Sequence, residues 1–304
     1  MNDLSDIKEI KSIRIVPYTL MNSSISAVVA FIYAIFIVII FGVVGVFLPS
    51  SLGITSGVIA SLGVAVIILL PVGSFVFTVT QSFLTALIYN VFVPRIGGIK
   101  LELVDLKEIV SVPVVPFALM LSAISTAIVF IAMLIIGPIL LIGLQGAAIA
   151  ATYQGTVIPG LGSIGALGIV GLLILVIGVP IMMFVASFIM TALTAIFYNL
   201  LAPKIGGIEF EFEALKGKLY GINSIPPIKL ALVVSIVMAI VNFIFQLLST
   251  VGSIATGSSA AAGVISLLIN VVFNLVITFI VYAIMAVLYN YLAPKIGTVK
   301  LELE

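Results

Sequence analysis

The residues with the most capacity for chemistry in this chain are neutral, and they recur. Tyr89-Asn90, Tyr198-Asn199 and Tyr289-Asn290 each lead into a similar exit: Pro94-Arg95-Ile96-Gly97-Gly98, Pro203-Lys204-Ile205-Gly206-Gly207 and Pro294-Lys295-Ile296-Gly297-Thr298. A phenol and a carboxamide supply hydrogen-bond donors and acceptors, but no group that trades a proton near neutral pH. Taken together, the six residues are a candidate ring at the mouth of a membrane passage. The structural reading is the heavier one. Tyrosine favours the headgroup level, asparagine covers open carbonyls at a helix end, proline stops the helix, and the glycines permit a positive-φ turn.

Two sets of hydroxyls also recur. Ser26, Ser125 and Ser235 each lie nine residues after a proline, and Thr78, Ser187 and Thr278 each lie 11 residues before the motif tyrosine. At ~1.5 Å of rise per residue both sets sit ~13–17 Å into their helices, in one intramembrane polar layer. Such residues mostly serve close helix packing and interhelical hydrogen bonds; the sharper reading is a polar lining for an axial path. Asn242 with Gln246, and Asn270 with Asn274, are further amides, each pair one turn apart. They are expected to bond to one another or across helices, with a solute site as the lesser reading.

The absence of Cys and His removes thiolate and imidazole catalysis and almost every zinc arrangement. No Asp, Glu, Lys or Arg occurs in residues 15–94, 109–203 or 230–294, which argues against proton relays and voltage sensing within the spans. The glycine pairs lack the spacing of a phosphate-binding loop. No catalytic, cofactor-binding or metal-binding residue is therefore expected, and the chain reads as a non-enzyme. Its 12 basic and 11 acidic residues interleave, which is a solvated surface and not a nucleic-acid patch.

The elements that must position these groups are membrane helices. Hydrophobic residues make up 63% of the chain and charged residues 8%, against about 45–50% and 25% in soluble domains. Three tandem copies emerge, residues 1–104, 105–213 and 214–304, each with two apolar runs long enough to cross ~30 Å of hydrocarbon. The first runs are 17–48, 116–143 and 227–249. Uncharged loops, 49–53, 145–163 and 250–263, lead to the second runs. Pro71 and Pro180 fall within second runs and predict kinks, not breaks.

After each motif the period changes to two: Ile99, Leu101, Leu103; Ile208, Phe210, Phe212; Val299, Leu301, Leu303. That alternation predicts half-buried strands. The segments entering each copy read as weaker strands. Ile13-Arg14-Ile15-Val16-Pro17 aligns with Val112-Pro113-Val114-Val115-Pro116, and less well with Ile222-Asn223-Ser224-Ile225-Pro226. Each copy is thus strand–helix–helix–strand. All 12 Lys and Arg flank one set of helix ends, so the positive-inside rule puts both termini and all six strands in the cytoplasm. Residues 1–14 lack the pattern of a cleavable signal, so the mature chain is expected to begin at Met1.

Each copy resembles a small bacterial transmembrane domain of unknown function. Pro17-Tyr18-Thr19 and Pro116-Phe117-Ala118 are similar to that family's Pro-aromatic-Ser entry. Tyr89-Asn90 with Gly97-Gly98-Ile99, and Tyr198-Asn199 with Gly206-Gly207-Ile208, are similar to its exit. The lysine that often follows the entry is Asn22 and Leu121 here, and Lys229 stands at another spacing. The resemblance implies no enzyme activity and an association of some members with the cell envelope and division.

The expected fold is an α-helical polytopic membrane protein: six transmembrane helices, arranged as three β-α-α-β repeats with pseudo-threefold symmetry and a small cytoplasmic β-cap. The expected function is a non-enzymatic scaffold or interaction platform, integral to the cell membrane, whose cap takes a cytoplasmic protein partner. The rival is a channel or passive carrier for a small uncharged solute or ion along the pseudo-threefold axis. The lipid bilayer is the one obligate partner, no nucleic acid is expected, and the chain reads as a monomeric pseudo-trimer.

Overall fold

A computed structural model describes residues 5–47, 56–153, 168–257 and 259–304. Six helical runs in it are long and apolar enough to span a membrane: Ile15–Val43, Leu62–Ile96, Val114–Ala147, Ile169–Ile205, Pro227–Ala255 and Ala260–Ile296. They belong to helices α1 (Ile15–Phe47), α2 (Ser56–Ile96), α3 (Val114–Tyr153), α4 (Ile169–Ile205), α5 (Pro227–Ala255) and α6 (Ala260–Ile296). Large side chains such as Phe36, Phe77, Ile135, Met182 and Phe273 project outward. Such exposure suits lipid as the solvent.

The second run of each copy is one helix, not two. Pro71 lies inside α2. In α4 the chain passes through a π-turn at Ile174–Gly178 just before Pro180. Proline has no N–H and its ring clashes with the carbonyl four residues back, so a widened turn there relieves both problems. The helices outlast two boundaries expected from sequence. Residues 145–153 continue α3, and α5 runs to Ala255. The loop expected at 49–53 and the remainder of 145–163 lie outside the described residues.

Seven strands form one antiparallel sheet: β1 (Ser5–Ile13), β2 (Lys100–Val104), β3 (Glu108–Ser111), β4 (Ile208–Glu209), β5 (Glu211–Lys216), β6 (Leu219–Ser224) and β7 (Lys300–Leu303). Their spatial order is β4-β3-β2-β1-β7-β6-β5. The two ends of that order, β4 and β5, are successive parts of one segment interrupted at Phe210. The sheet therefore curls, so that its two ends fall on one continuous segment, β4 bonded to β3 and β5 bonded to β6. β1 shows how: residues 5–9 pair with β2, while Ile10, Ser12 and Ile13 pair with β7. Such a slide in pairing along a strand is the stagger that closing a sheet requires.

The predicted alternation is present. Leu101, Leu103, Val299, Leu301 and Leu303 are buried, while Lys100 and Glu211 face outward. Phe210 and Phe212 pack, half-buried, against a cluster that runs from Leu301 and Leu303 to Met21 of α1 and to Tyr289 and Ala293 of α6. The entry strands are not weak: β1 is nine residues long. Tight turns join consecutive copies. Asp105 and Leu106 both adopt positive φ, 53° and 54°, between β2 and β3. Gly217, with φ 61°, turns β5 into β6, a little beyond the boundary expected at 213/214.

The chain divides into two compact units, Met1–Val112 with Ile196–Glu304, and Pro113–Ala195. The first holds the whole sheet, α1, α2, α5, α6 and the end of α4. The second holds α3 and most of α4. Within it Gly137 lets the π-turn approach α3 closely, since a methyl there would sit 3.2 Å from Val176.

Candidate functional site

Each Tyr-Asn pair is a clamp between a helix and two strands. The Tyr89 hydroxyl donates to the Ile10 carbonyl at 2.6 Å and accepts from the Ile99 N–H at 3.0 Å. Asn90 accepts from the Ile13 N–H at 2.8 Å and donates to the Ile13 carbonyl at 2.9 Å. The same bonds link Tyr198 to Ile109 and Ile208, and Asn199 to Val112. They recur once more between Tyr289 and Ile222 and Val299, and between Asn290 and Ile225. The tyrosines are 1%, 7% and 5% exposed. Both functions of each hydroxyl, and both ends of each carboxamide, are committed to backbone.

This geometry corrects three expectations. Asparagine serves the end of the entry strand, not open carbonyls of its own helix. Proline does not stop the helix, which runs two residues further to Ile96, Ile205 and Ile296. The turn is made by the first glycine alone, with φ 84° at Gly97, 86° at Gly206 and 94° at Gly297. The clamp also resets the third copy. Ile225 is the partner of Ile13 and Val112, so the entry alignment through Pro226 is three residues out of register.

That shift divides the polar layer. Ser235 corresponds to Ser23 and Ser122, not to Ser26 and Ser125. These three serines are 1%, 0% and 0% exposed and bond back to carbonyls of their own helices. Ser26 receives Thr78 at 2.9 Å and pairs with Ser74 at 2.7 Å. Ser125 and Ser187 are 3.4 Å apart. The third copy has Met238 at this level opposite Thr278. At this level interhelical hydrogen bonds thus form within the first copy and within the second, and Met238 takes the serine's place in the third. Asn270 bonds to Ser266 of its own helix, while the buried amide oxygens of Asn242 and Asn274 have no partner among the described residues.

The second glycine has a different purpose from the first. A methyl on Gly98 would stand 2.2 Å from the Ile10 carbonyl, and one on Gly207 1.9 Å from that of Ile109. There the Gly98 N–H donates to Glu9 at 2.6 Å, and Gly207 likewise to Glu108. In the third copy Thr298 replaces the glycine, and Gly221 replaces the glutamate. A methyl on Gly221 would lie 2.7 Å from the Thr298 hydroxyl. Size has been exchanged across the pair. The Gly98 hydrogen bond, followed by the neighbouring Lys11, holds the Glu9 carboxyl below its ordinary range against the cost of burial. Lys11 lies 3.0 Å from Glu9. Ion pairs also join copies: Lys229 contacts Glu108 and Glu209, and Arg14 meets Glu302 at 2.8 Å.

A cavity of about 350 Å³ opens between α1, α2 and α6. Tyr18, Asn22, Ser26, Thr78, Gln81, Ser82 and Thr85 supply its polar lining and Met285 closes one side. Sequence reading found Ser26 and Thr78 and missed the rest. The available signal was departure from the repeat. Through the clamp register, Asn22 becomes Leu121 and Val234 in the other copies, and Gln81 becomes Met190 and Val281. Among the described residues no group of His, Cys, Asp or Glu is placed to hold a metal ion. Comparison with protein-family models, curated proteins and solved structures finds no match.

Proposed function

We propose that this protein is a non-enzymatic membrane scaffold, with the curled sheet as its cytoplasmic platform and the three copies arranged about a pseudo-threefold axis. The observation that carries the reading is the curled seven-stranded sheet itself. It bears most of the chain's charge on its outer face, and three clamps fasten it rigidly to helices rooted in lipid. A surface held this firmly by buried hydrogen bonds suits presentation of fixed contacts, since little ordering entropy remains to oppose binding. The positive-inside bias orients the sheet toward the cytoplasm. Its inner face is filled by Leu101, Leu103, Leu301, Leu303 and both phenylalanines, which weighs against an axial passage for ions or polar solutes.

Two assays test this. A photo-crosslinking residue at Glu211, which points outward, should capture a discrete cytoplasmic protein in cells, while one at Phe212 should not. Protein in liposomes should pass no ion or solute above empty vesicles. Selective flux, lost on Ser26→Leu with Ser125→Leu, would replace the scaffold by the channel.

A further inference from the structure

The cavity between α1, α2 and α6 carries an inference that does not depend on the scaffold reading. Its lining has no carboxylate, amine, guanidinium or imidazole, and its polar groups are hydroxyls and carboxamides. Several hydroxyls already donate within their helix, Ser82 to Thr78 at 2.5 Å and Thr85 to Gln81 at 2.8 Å. Their oxygens therefore face the cavity as acceptors. Asn22 donates to the Tyr18 carbonyl at 3.1 Å, which leaves its oxygen the natural acceptor. Gln81 is exposed, and while its backbone carbonyl accepts from Thr85, its side-chain carboxamide makes no hydrogen bond to any described residue. A carboxamide in that position offers both donor and acceptor at the cavity's outlet.

Depth restricts the ligand further. Thr85 and Thr78 precede the clamp tyrosine by four and 11 residues, which is ~6–17 Å along the helix. The clamp adjoins Arg95, at the charged end of the span. The lining therefore begins at Thr85, close to the headgroup level, and reaches toward the bilayer centre at Thr78, so the glycerol and ester region of a lipid meets its Thr85–Gln81 end. On α2, Phe77 and Phe83 are 70% and 44% exposed, which suits contact with hydrocarbon. The volume, about 350 Å³, falls at the low end of the ~300–1,000 Å³ range of ligand sites. It fits a polar head and the beginnings of its chains, with the remaining chain left in the bilayer.

We propose that this cavity binds the head of an uncharged, hydroxyl-bearing lipid of the diacylglycerol type. A charged head is disfavoured because nothing in the lining neutralises it. The site belongs to the first copy alone, since Leu121 with Met190, and Val234 with Val281, remove its carboxamides elsewhere.

The test uses the full-length protein in nanodiscs with a photoreactive diacylglycerol, followed by peptide mapping. Labelling should concentrate in 18–29 and 78–85. Dioctanoylglycerol should compete, while dioctanoyl phosphatidic acid and free glycerol should not. The variant Asn22→Leu/Gln81→Met installs the side chains of the second copy, so it should keep its unfolding temperature and lose labelling at least tenfold. Equal labelling of the corresponding segments 117–128 and 187–194 would overturn the proposal. So would unchanged labelling of the variant, or equal competition by phosphatidic acid. Competition by glycerol alone would also overturn it, in favour of a soluble polyol.

Discussion

Replacing Tyr89 by Phe deletes one oxygen from a filled site and tests whether the clamp holds the sheet to the membrane. The ring keeps its place, because Tyr89 is 1% exposed and Phe occupies nearly the same volume. Two backbone groups lose a partner, the Ile10 carbonyl and the Ile99 N–H. Each unsatisfied buried group costs ~1–3 kcal/mol. The neighbouring bond from the Ile10 N–H to the Ile99 carbonyl, 2.9 Å, remains, so partial relaxation is expected. The loss should total ~2–4 kcal/mol, a large share of the ~5–15 kcal/mol typical of a folded domain. Unfolding in mixed micelles, followed by circular dichroism, measures it. Tyr33→Phe is the control, since Tyr33 is 44% exposed and should change stability by less than ~0.5 kcal/mol. Tyr198→Phe and Tyr289→Phe should match Tyr89→Phe. A Tyr89→Phe variant as stable as the control would refute the clamp, and a large effect at only one of the three tyrosines would refute its equivalence among copies.

Gly98→Ala and Gly207→Ala should each destabilise by ~1–3 kcal/mol or more through overpacking against a carbonyl; Gly73→Ala, with open space around it, should not, and thermal unfolding separates the two classes. Leu106→Gly should stabilise by ~1 kcal/mol in denaturant unfolding, because a positive-φ turn is strained for leucine and natural for glycine. The carboxyl of Glu9 is held below its usual range, so its contribution is present above the unfolded value near ~4.3 and is lost as pH falls through the lower folded value. Thermal stability should accordingly fall below about pH 4, and Glu9→Gln should flatten that fall. Cys at Thr256 should react with an impermeant reagent outside intact cells and Cys at Leu106 or Glu304 should not; labelling of both groups from one side would end the six-span topology.

Local periodicity made much of the fold legible. Alternation around Leu101, Phe212 and Leu301 predicts strands with the observed faces, and the charge-free blocks locate all six spans. Relations between distant segments were less accessible. Pairing of β1 with β7 joins residues at opposite ends of the chain, and nothing in either strand's pattern names its neighbour. The doublet Pro226-Pro227 drew the third entry out of register, because a proline marks a helix start without fixing its phase. The reliable anchors are Ile10, Ile109 and Ile222, whose carbonyls receive the tyrosine hydroxyls, yet three isoleucines in apolar strands carry little distinction in sequence. The cavity was hidden for a related reason: Asn22 and Gln81 stand out only against Leu121 and Met190, once the copies are correctly superimposed.

The curl of the sheet limits how recognition can work. An open sheet offers its edge to a partner strand, and backbone bonds then supply affinity with little demand on side chains. Here β7, the last strand, already lies between β1 and β6, so its removal would split the sheet, and unpaired strand edge is confined to β4 and β5 at the two ends of the order. On the proposed scaffold reading, a partner would chiefly read side chains on the outer face, where Lys100 and Glu211 project and Glu102, Glu209, Lys300 and Glu302 lie half-exposed. The exchange of Glu9–Gly98 and Glu108–Gly207 for Gly221–Thr298 bears on this surface. It removes a carboxylate from one of three corresponding positions while the clamp beneath is retained. The copies are thus alike where the sheet is fastened and different where it faces water. On the proposed scaffold reading, a partner that reads charge would tell the third position from the other two, and so would meet one preferred orientation where three identical copies would offer three.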